Sequence, residues 1–337
     1  MSTTIPTRKL ADRQVGAVAS GLMRMTVSPV QTPDSQAFEA MQTALSLGSD
    51  CWNSGAFYSM ILDNKAANLQ LIGRFCKAHP ELKDKFFLSV KGGLNFPDLS
   101  PNGNLDFLRK DCENINAQLG ERKMDLYQMA RVDKNVGIEQ IMKNMLVLRD
   151  EGHFKYIGLS EVSAETIRKA VAIAPIAAVE VEYSPFFTEI ETNGVLDACK
   201  EHGIAIMAYS PLGAGILSGQ IKSRKDFKEG DMRAHFDRFS DENIAHNLQL
   251  VDNLKSIAAK KGITPAQLSI SWILHQWEGI IPLPGSTRPA GVRESVEAAH
   301  VKLSDEELKE IRDVVDSAEI KGVRYINNPH VQATLFG

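Results

Sequence analysis

Gly48-Ser49-Asp50-Cys51-Trp52-Asn53-Ser54-Gly55-Ala56-Phe57-Tyr58-Ser59 contains one full change of structure, and its reading sets the pattern for the whole chain. Upstream, Phe38, Met41, Leu45 and Leu47 approximate helical spacing, and Gly48 is a stop signal for that helix. Asp50 to Asn53 then reads as a short strand, and Ser54-Gly55-Ala56 as a turn into a loop. Tyr58 falls five residues beyond the strand's expected end, where a side chain can face a pocket. Most tyrosines are amphipathic packing residues, so Tyr58 needs partners before it counts as chemistry.

The same alternation repeats in both directions. Val15 to Met25 predicts a buried strand whose glycines allow a backbone or ligand to come close. Helices are expected at Asp34 to Leu47, Ala66 to His79, Leu105 to Leu119, Ile138 to Glu151, Ala164 to Ala174 and Gly194 to His202. Between and after them come strands at Phe86 to Val90, Met124 to Ala130, Tyr156 to Ser160, Ala178 to Tyr183, Ile204 to Tyr209 and Gly279 to Pro282. Strands alternating with helices imply βαβ units on a parallel sheet, and eight of them fit a (β/α)8 TIM barrel of the α/β class, usually about 250 residues. The excess length is expected as an N-terminal extension, a charged surface loop from Gly219 to Asn243, helices at Asn243 to Lys261 and Thr264 to His275, and an extra C-terminal helix. That last helix opens at the capping box Ser304-Asp305-Glu306-Glu307, and an irregular tail from Lys321 to Gly337 follows. No linker or low-complexity segment interrupts this, so residues 1–337 are expected to form a single domain.

Composition narrows the function classes. The chain is 43% hydrophobic and 24% charged, with a formal net charge of −4, so no basic field invites nucleic acid. No run approaches the roughly 18 apolar residues of a membrane span, and the N-terminus lacks a signal-length apolar stretch. Cys51, Cys76, Cys112 and Cys199 show no C-x-x-C spacing and read as buried free thiols. Eight scattered histidines give no metal motif, and no metal is expected. These features suggest a cytoplasmic protein, with a nuclear pool left open, acting on a small molecule; a monomer is the default and oligomerisation stays open.

Barrel active sites sit at the C-terminal ends of the strands, and that is where the chemically informative residues fall. Tyr58 follows the second strand, and Phe87-Leu-Ser-Val-Lys91-Gly-Gly93 places Lys91 at the end of the third. A lysine closing an apolar strand is commonly a snorkelling surface residue, so it too needs a partner. Gly158-Leu-Ser-Glu161, Val179-Glu-Val-Glu-Tyr-Ser-Pro185, Ala208-Tyr-Ser-Pro-Leu-Gly-Ala-Gly215 and Pro282-Leu-Pro-Gly-Ser-Thr-Arg288 close the fifth to eighth strands.

With these motifs in order, the chain resembles the aldo-keto reductases from Val15 to about Ala318. Asn-Ser-Gly-x-Phe-Tyr, Ala-Arg-Val-Asp and Gly-Leu-Ser-Glu-Val-Ser-Ala-Glu-Thr-Ile look most like the pyridoxal reductases of yeast. The resemblance implies a barrel that reduces an aldehyde or ketone with a nicotinamide cofactor, NADPH in most members. It makes Tyr58 the proton donor and Lys91 its partner, with Asn53 in the place of the usual aspartate and Ala130 in the place of the usual histidine. It assigns Ser160, Glu161 and Glu180 to the carboxamide, where Ser, Asn and Gln are common, and Tyr209 to the nicotinamide ring. Gly21, Ser210, Leu212 and Gly215 complete that surface and the pyrophosphate loop. Ser286, Thr287 and Arg288 match the region receiving the adenosine phosphate, although Gly291 and Ser295 stand where an arginine and an asparagine are common.

The chemistry also follows from the side chains. Hydride arriving at a carbonyl carbon leaves an alkoxide that needs a proton. A tyrosine is a weak acid, and an adjacent ammonium is expected to lower its pKa. Asn53 can orient Lys91 by a neutral hydrogen bond yet offers no carboxylate, so Lys91 is expected to lose its proton more easily than in relatives with an aspartate.

Other readings fit less well. A Rossmann dehydrogenase would carry an early G-x-G-x-x-G, and the late Gly213-Ala-Gly215 has its next glycine at Gly219, the wrong spacing. Glu161, Glu180 and Glu182 offer carboxylates for glycoside hydrolysis, but Glu180 and Glu182 share a strand face and nothing else indicates a sugar site. A cofactor-binding regulatory subunit and a reductase of other substrate range stay open beside the pyridoxal reading.

Overall fold

The computed structural model describes residues 5–61, 63–325, 327, 332 and 334–337, so the start of the chain and part of the expected irregular tail lie outside the described residues. Strands β1 (Thr7–Leu10) and β2 (Arg13–Gly16) form an antiparallel hairpin. Eight further strands follow: β3 (Ser20–Gly21), β4 (Cys51–Gly55), β5 (Phe87–Gly92), β6 (Leu126–Met129), β7 (Tyr156–Ser160), β8 (Ala178–Glu182), β9 (Ala205–Tyr209) and β10 (Ile280–Leu283). They pair in parallel in unbroken chain order. The amides of Ala19 and Gly21 donate to the carbonyls of Pro282 and Pro284, each at 2.9 Å, and bring the first strand to the last in a nearly closed barrel.

Helices α1 (Asp34–Ser46), α2 (Ala67–Ala78), α3 (Leu105–Leu119), α4 (Ile138–Asp150), α5 (Ala164–Val171) and α6 (Val195–His202) alternate with the strands. After β9 come α7 (Ile244–Lys261) and α8 (Pro265–Gln276), and after β10 come α9 (Pro289–Glu297) and α10 (Asp305–Asp316). Local chemistry sets the starts. Thr264 and Gln267 form a reciprocal capping box ahead of α8 with Pro265 at its first position, and Ser304 with Glu307 does the same for α10.

Two expectations need correction. Val15 to Met25 is not one strand: the Gly16 amide donates to Asp50 Oδ1 at 2.7 Å, which ends the hairpin, and the barrel strand begins at Ser20. Met23–Met25 is then a 3-10 turn. The stretch 219–243 is not a bare surface loop. It contains the short turns Arg224–Asp226, Met232–His235 and Asp237–Phe239, and Phe239 is buried against Phe186, Phe227 and Phe236.

Along barrel strands alternate side chains face inward. At the N-terminal end of the barrel these are apolar: Cys51, Phe87, Leu126, Ala178, Ala205, Met207 and Ile281 pack in one buried cluster with Leu10 and Val15 of the hairpin. The next inward positions are Asn53, Ser89, Gln128 and Glu180, and the next again Lys91, Ala130, Glu182 and Tyr209. The interior thus runs from dry to polar toward the C-terminal ends, which places the chemistry there. All four cysteines are free and buried, and among the described residues no helix is long and apolar enough to cross a membrane.

Candidate active site

β4 extends to Gly55, so Tyr58 is three residues beyond the strand rather than five. A Cβ on Gly55 would come within 3.0 Å of the Tyr58 ring, so glycine lets the phenol fold back over the strand end. The loop is pinned from below. Thr26 Oγ1 donates to the Tyr58 carbonyl at 2.9 Å, and Asn68 of α2 donates to Thr26 Oγ1 and to the Leu22 carbonyl, each at 2.8 Å. Asn68 accepts in turn from Ser54 at 2.6 Å. Sequence reading passed over Asn68, although an asparagine on a helix face with Leu69, Leu71 and Ile72 was a signal of a buried polar anchor.

Lys91 is 5% exposed, so it is no snorkelling residue. Its ammonium donates to Asn53 Oδ1 at 2.8 Å and to Glu180 Oε1 at 2.5 Å, while Asn53 Nδ2 donates to Glu180 Oε2 at 2.6 Å. The ammonium also lies 5.1 Å from the centre of the Tyr58 ring. This corrects the expectation that Lys91 lacks a carboxylate and loses its proton easily. Burial works against the charge, but Glu180 and Tyr58 outweigh it, and the Lys91 pKa is raised above its ordinary value. The expected lowering of the Tyr58 pKa is overturned as well: burial pushes the phenol up and prevails over the downward pull of Lys91. Tyr58 is therefore fully protonated at neutral pH, as a proton donor must be. Glu180, expected at the carboxamide, has both oxygens engaged by Lys91 and Asn53.

Ala130 is buried directly after β6, its amide donating to the Gly92 carbonyl at 3.0 Å. Beside it Arg131 stands close enough to lower the phenols of Tyr58 and Tyr325, though each remains raised by burial overall.

A second charged group occupies the same mouth. Glu161 is 0% exposed, and its two oxygens accept from Arg324 at 2.9 and 3.0 Å. Arg324, only 5% exposed, also donates from Nε to Glu182 Oε2 at 2.8 Å and from Nη2 to the Tyr209 hydroxyl at 2.8 Å. The Tyr209 hydroxyl donates to Glu161 Oε1 at 2.7 Å and is hydrogen-bonded to the Tyr325 hydroxyl. Arg238 reaches Glu182 at 3.6 Å. The carboxamide assignment of Glu161 thus meets a side chain already held by an arginine from the tail. Sequence reading missed Arg324 altogether, because nothing near it in the chain indicates where a tail residue lands.

The remaining expected cofactor residues line one side of the mouth. Ser160 is buried at the end of β7, and Gly21 lies in β3 beside the closing strand. Ser210 (φ 49°), Gly213 (φ 54°), Ala214 (φ 55°) and Gly215 (φ 101°) in the loop after β9 have left-handed backbone, and the amides of Gly213 and Gly215 donate to the carbonyls of Ser210 and Leu212, each at 2.8 Å. Left-handed backbone at non-glycine residues such as Ser210 and Ala214 clusters at ligand sites. Leu212 enters the short helix Gly213–Ser218. Ser286, Thr287 and the exposed Arg288 lead into α9, whose free N-terminal amides suit a phosphate. Gly291 has a steric reason: a Cβ there would lie 2.5 Å from Ser286 Oγ. The helix start, with Arg288 beside it, fits the added phosphate of a dinucleotide.

Comparison with known proteins agrees with this geometry. Residues 17–316 match the family described as "Aldo/keto reductase family". "Probable pyridoxal reductase 2" of Schizosaccharomyces pombe is 40% identical over 96% of this chain and 97% of its own length. "Aldo-keto reductase yakc [NADP(+)]" of the same yeast is 39% identical, covering 96% of this chain and 95% of that protein. In structure, a glycerol dehydrogenase from Gluconobacter oxydans superposes with a TM-score of 0.82 at 22% identity over 98% of this chain and 99% of that one, a likeness of fold. The chain belongs to the aldo/keto reductase family, whose members are oxidoreductases that use NADP(H).

Proposed function

We propose that the protein reduces pyridoxal to pyridoxine with NADPH, with Tyr58 as the proton donor. The observation that carries this reading is the Tyr58 ring 5.1 Å from the buried Lys91 ammonium, at the mouth where β6 gives way to the small residue Ala130. The likeness to a yeast protein named as a pyridoxal reductase supports the substrate. NADPH, when bound, supplies the hydride. Ser160, Tyr209, Ser210, Leu212 and Gly215 would hold its nicotinamide and pyrophosphate, and Ser286, Thr287 and Arg288 its adenosine phosphate. Tyr58 gives its proton to the former aldehyde oxygen, completing the alcohol, and regains one from solvent. The Lys91 ammonium stabilises the phenolate left in between, with Asn53 fixing its direction.

The usual histidine is absent, and losing one positioned donor to a developing oxyanion costs about 2.7 to 4 kcal/mol. Pyridoxal carries its own donor, a phenolic hydroxyl beside the aldehyde, and Ala130 leaves room for it. Catalytic efficiency on pyridoxal should exceed that on its 3-deoxy analogue and on pyridine-4-carbaldehyde by more than about tenfold, or 1.4 kcal/mol. Values within that range for all three defeat the substrate assignment. Tyr58→Phe should remove most of the turnover while NADPH binding stays near normal; retained turnover defeats the role of Tyr58. A preference for NADPH over NADH that vanishes in Arg288→Ala tests the phosphate site.

A further inference from the structure

Two departures from the family pattern meet at one point in this structure. Most members have an aspartate where Asn53 stands, and a glutamine where Glu180 stands. Here the two side chains are hydrogen-bonded to each other at 2.6 Å, and both reach the Lys91 ammonium. We infer that Glu180 is the positioning carboxylate for Lys91, so that the anion normally supplied from β4 has moved across the barrel interior to β8, and Asn53 is its obligatory companion. This rests on the reading of Tyr58 and Lys91 as the proton-donating pair.

A buried ammonium needs an anion, and of the two side chains bonded to it Glu180, 2% exposed, is the carboxylate. An aspartate at position 53 would set a second carboxylate against Glu180 Oε2, where the structure has a hydrogen bond; an amide accepts from Lys91 with its oxygen and donates to Glu180 with its nitrogen. Flipping that amide would turn its NH2 toward the ammonium, donor against donor, so the network fixes its orientation. A glutamine at position 180 beside Asn53 would leave the ammonium buried among neutral groups. Each departure alone is unfavourable, and together they compensate. The longer glutamate side chain suits the role because β8 lies three strands from β5 in the sheet. The titratable groups facing Lys91 are Glu180 from β8 and Tyr58 from the loop after β4, with Arg131, after β6, acting on Tyr58. Carboxylate and phenol together keep Lys91 charged beyond its ordinary range.

The test follows the Lys91 ammonium directly on the intact chain, without cofactor or substrate, by NMR of ε-13C lysine with the Lys91→Met spectrum for assignment. In the native chain Lys91 should titrate above 10.5, its ordinary value. In Glu180→Gln the midpoint should fall by about 2 pH units or more, kcat should drop about tenfold or more, and the alkaline limb of the pH–rate profile should move down with the midpoint. Adding Asn53→Asp to Glu180→Gln returns the anion to β4 and should restore midpoint, limb and kcat to within about threefold. An unmoved Lys91 midpoint in Glu180→Gln, a change confined to the KM for NADPH, or a double variant that is no better than the single overturns the inference. If Glu180→Gln does not fold, the double variant decides: folded with a charged Lys91 supports the inference, unfolded or uncharged overturns it. Absence of turnover with any aldehyde in the native chain would defeat the proposed function instead, while the Lys91 titration still decides the role of Glu180.

Discussion

The barrel mouth contains two buried groups of carboxylates and cations, built in different ways. Around Lys91 the cation, the carboxylate and the amide between them all come from the barrel wall: Lys91 from β5, Glu180 from β8 and Asn53 from β4. Around Arg324 the carboxylates Glu161 and Glu182 belong to the wall, but the cation arrives from the chain's tail, beyond α10. The first cation is an ammonium that can change charge and lies against a phenol. The second is a guanidinium, which stays charged and forks between partners. The first arrangement suits proton chemistry; the second suits fastening a segment in place.

If that division holds, the two cations fail differently when removed. Lys91→Met should lower kcat by about 100-fold or more, since a positioned acid–base group contributes that much, and because it leaves Glu180 buried without its ammonium it should cost stability as well. Steady-state rates and urea unfolding on one preparation separate these outcomes; an active Lys91→Met protein breaks the comparison. Arg324→Ala should act first on stability. Among the described residues it leaves Glu161 with no cation and Glu182 with Arg238 alone, and removing one partner of a buried pair typically costs about 3 to 5 kcal/mol. A urea midpoint within error of the native chain would show that the tail fastening contributes nothing.

The same contrast explains what the sequence revealed. Each βα unit carries its own local signals, so β7 and α3 fall at their expected bounds and the capping box at Ser304 opens α10 as read. Val15 to Met25 misled because its small apolar residues run on without a stop, and the break depends on Asp50, a distant residue that takes the Gly16 amide. Alternation put Glu180 and Glu182 on one face but could not name their partners. Lys91 and Glu180 are 89 positions apart, Arg324 and Glu161 163, and periodicity gives a direction without a distance. The resemblance alone therefore places Glu161 and Glu180 at the carboxamide, whereas the fold engages both with cations.

Arg238 gives a finer division within the tail group. It meets Glu182 at 3.6 Å and lies over the rings of Phe186 and Phe187 at 5.6 and 5.0 Å, and burial lowers its pKa. Glu182 would keep Arg324 if Arg238 were lost. Arg238→Ala should therefore cost about 1 to 2 kcal/mol, the scale of a desolvated cation–π contact with a weak ion pair. A loss equal to that of Arg324→Ala would mean the two arginines act as one unit, which a double variant would show as non-additivity.

The smallest expected effect is spectroscopic and bears on both groups at once. All six tyrosines have phenols raised above the ordinary 10.0, mainly by burial, with Tyr156 pushed up to about 12. Tyr58 belongs to the lysine group, and Tyr209 and Tyr325 to the arginine group. A group whose folded pKa exceeds its unfolded value adds stability in full below the unfolded value and loses it as pH rises through the folded one. Lys91, raised above 10.5, has the same sign. Stability should thus be level through neutral pH and decline from about pH 10 upward, as Lys91 and the phenols titrate while Arg324 keeps its charge. At pH 10 the native chain should show little phenolate absorbance near 295 nm, whereas the urea-unfolded chain should show about half of its tyrosines ionised. Loss of aldehyde reduction should precede loss of structure, because uncharging Lys91 or ionising Tyr58 disables the proton donor while Arg324 keeps its charge in the tail group. Simultaneous loss of activity and structure would instead make the two groups a single cooperative unit.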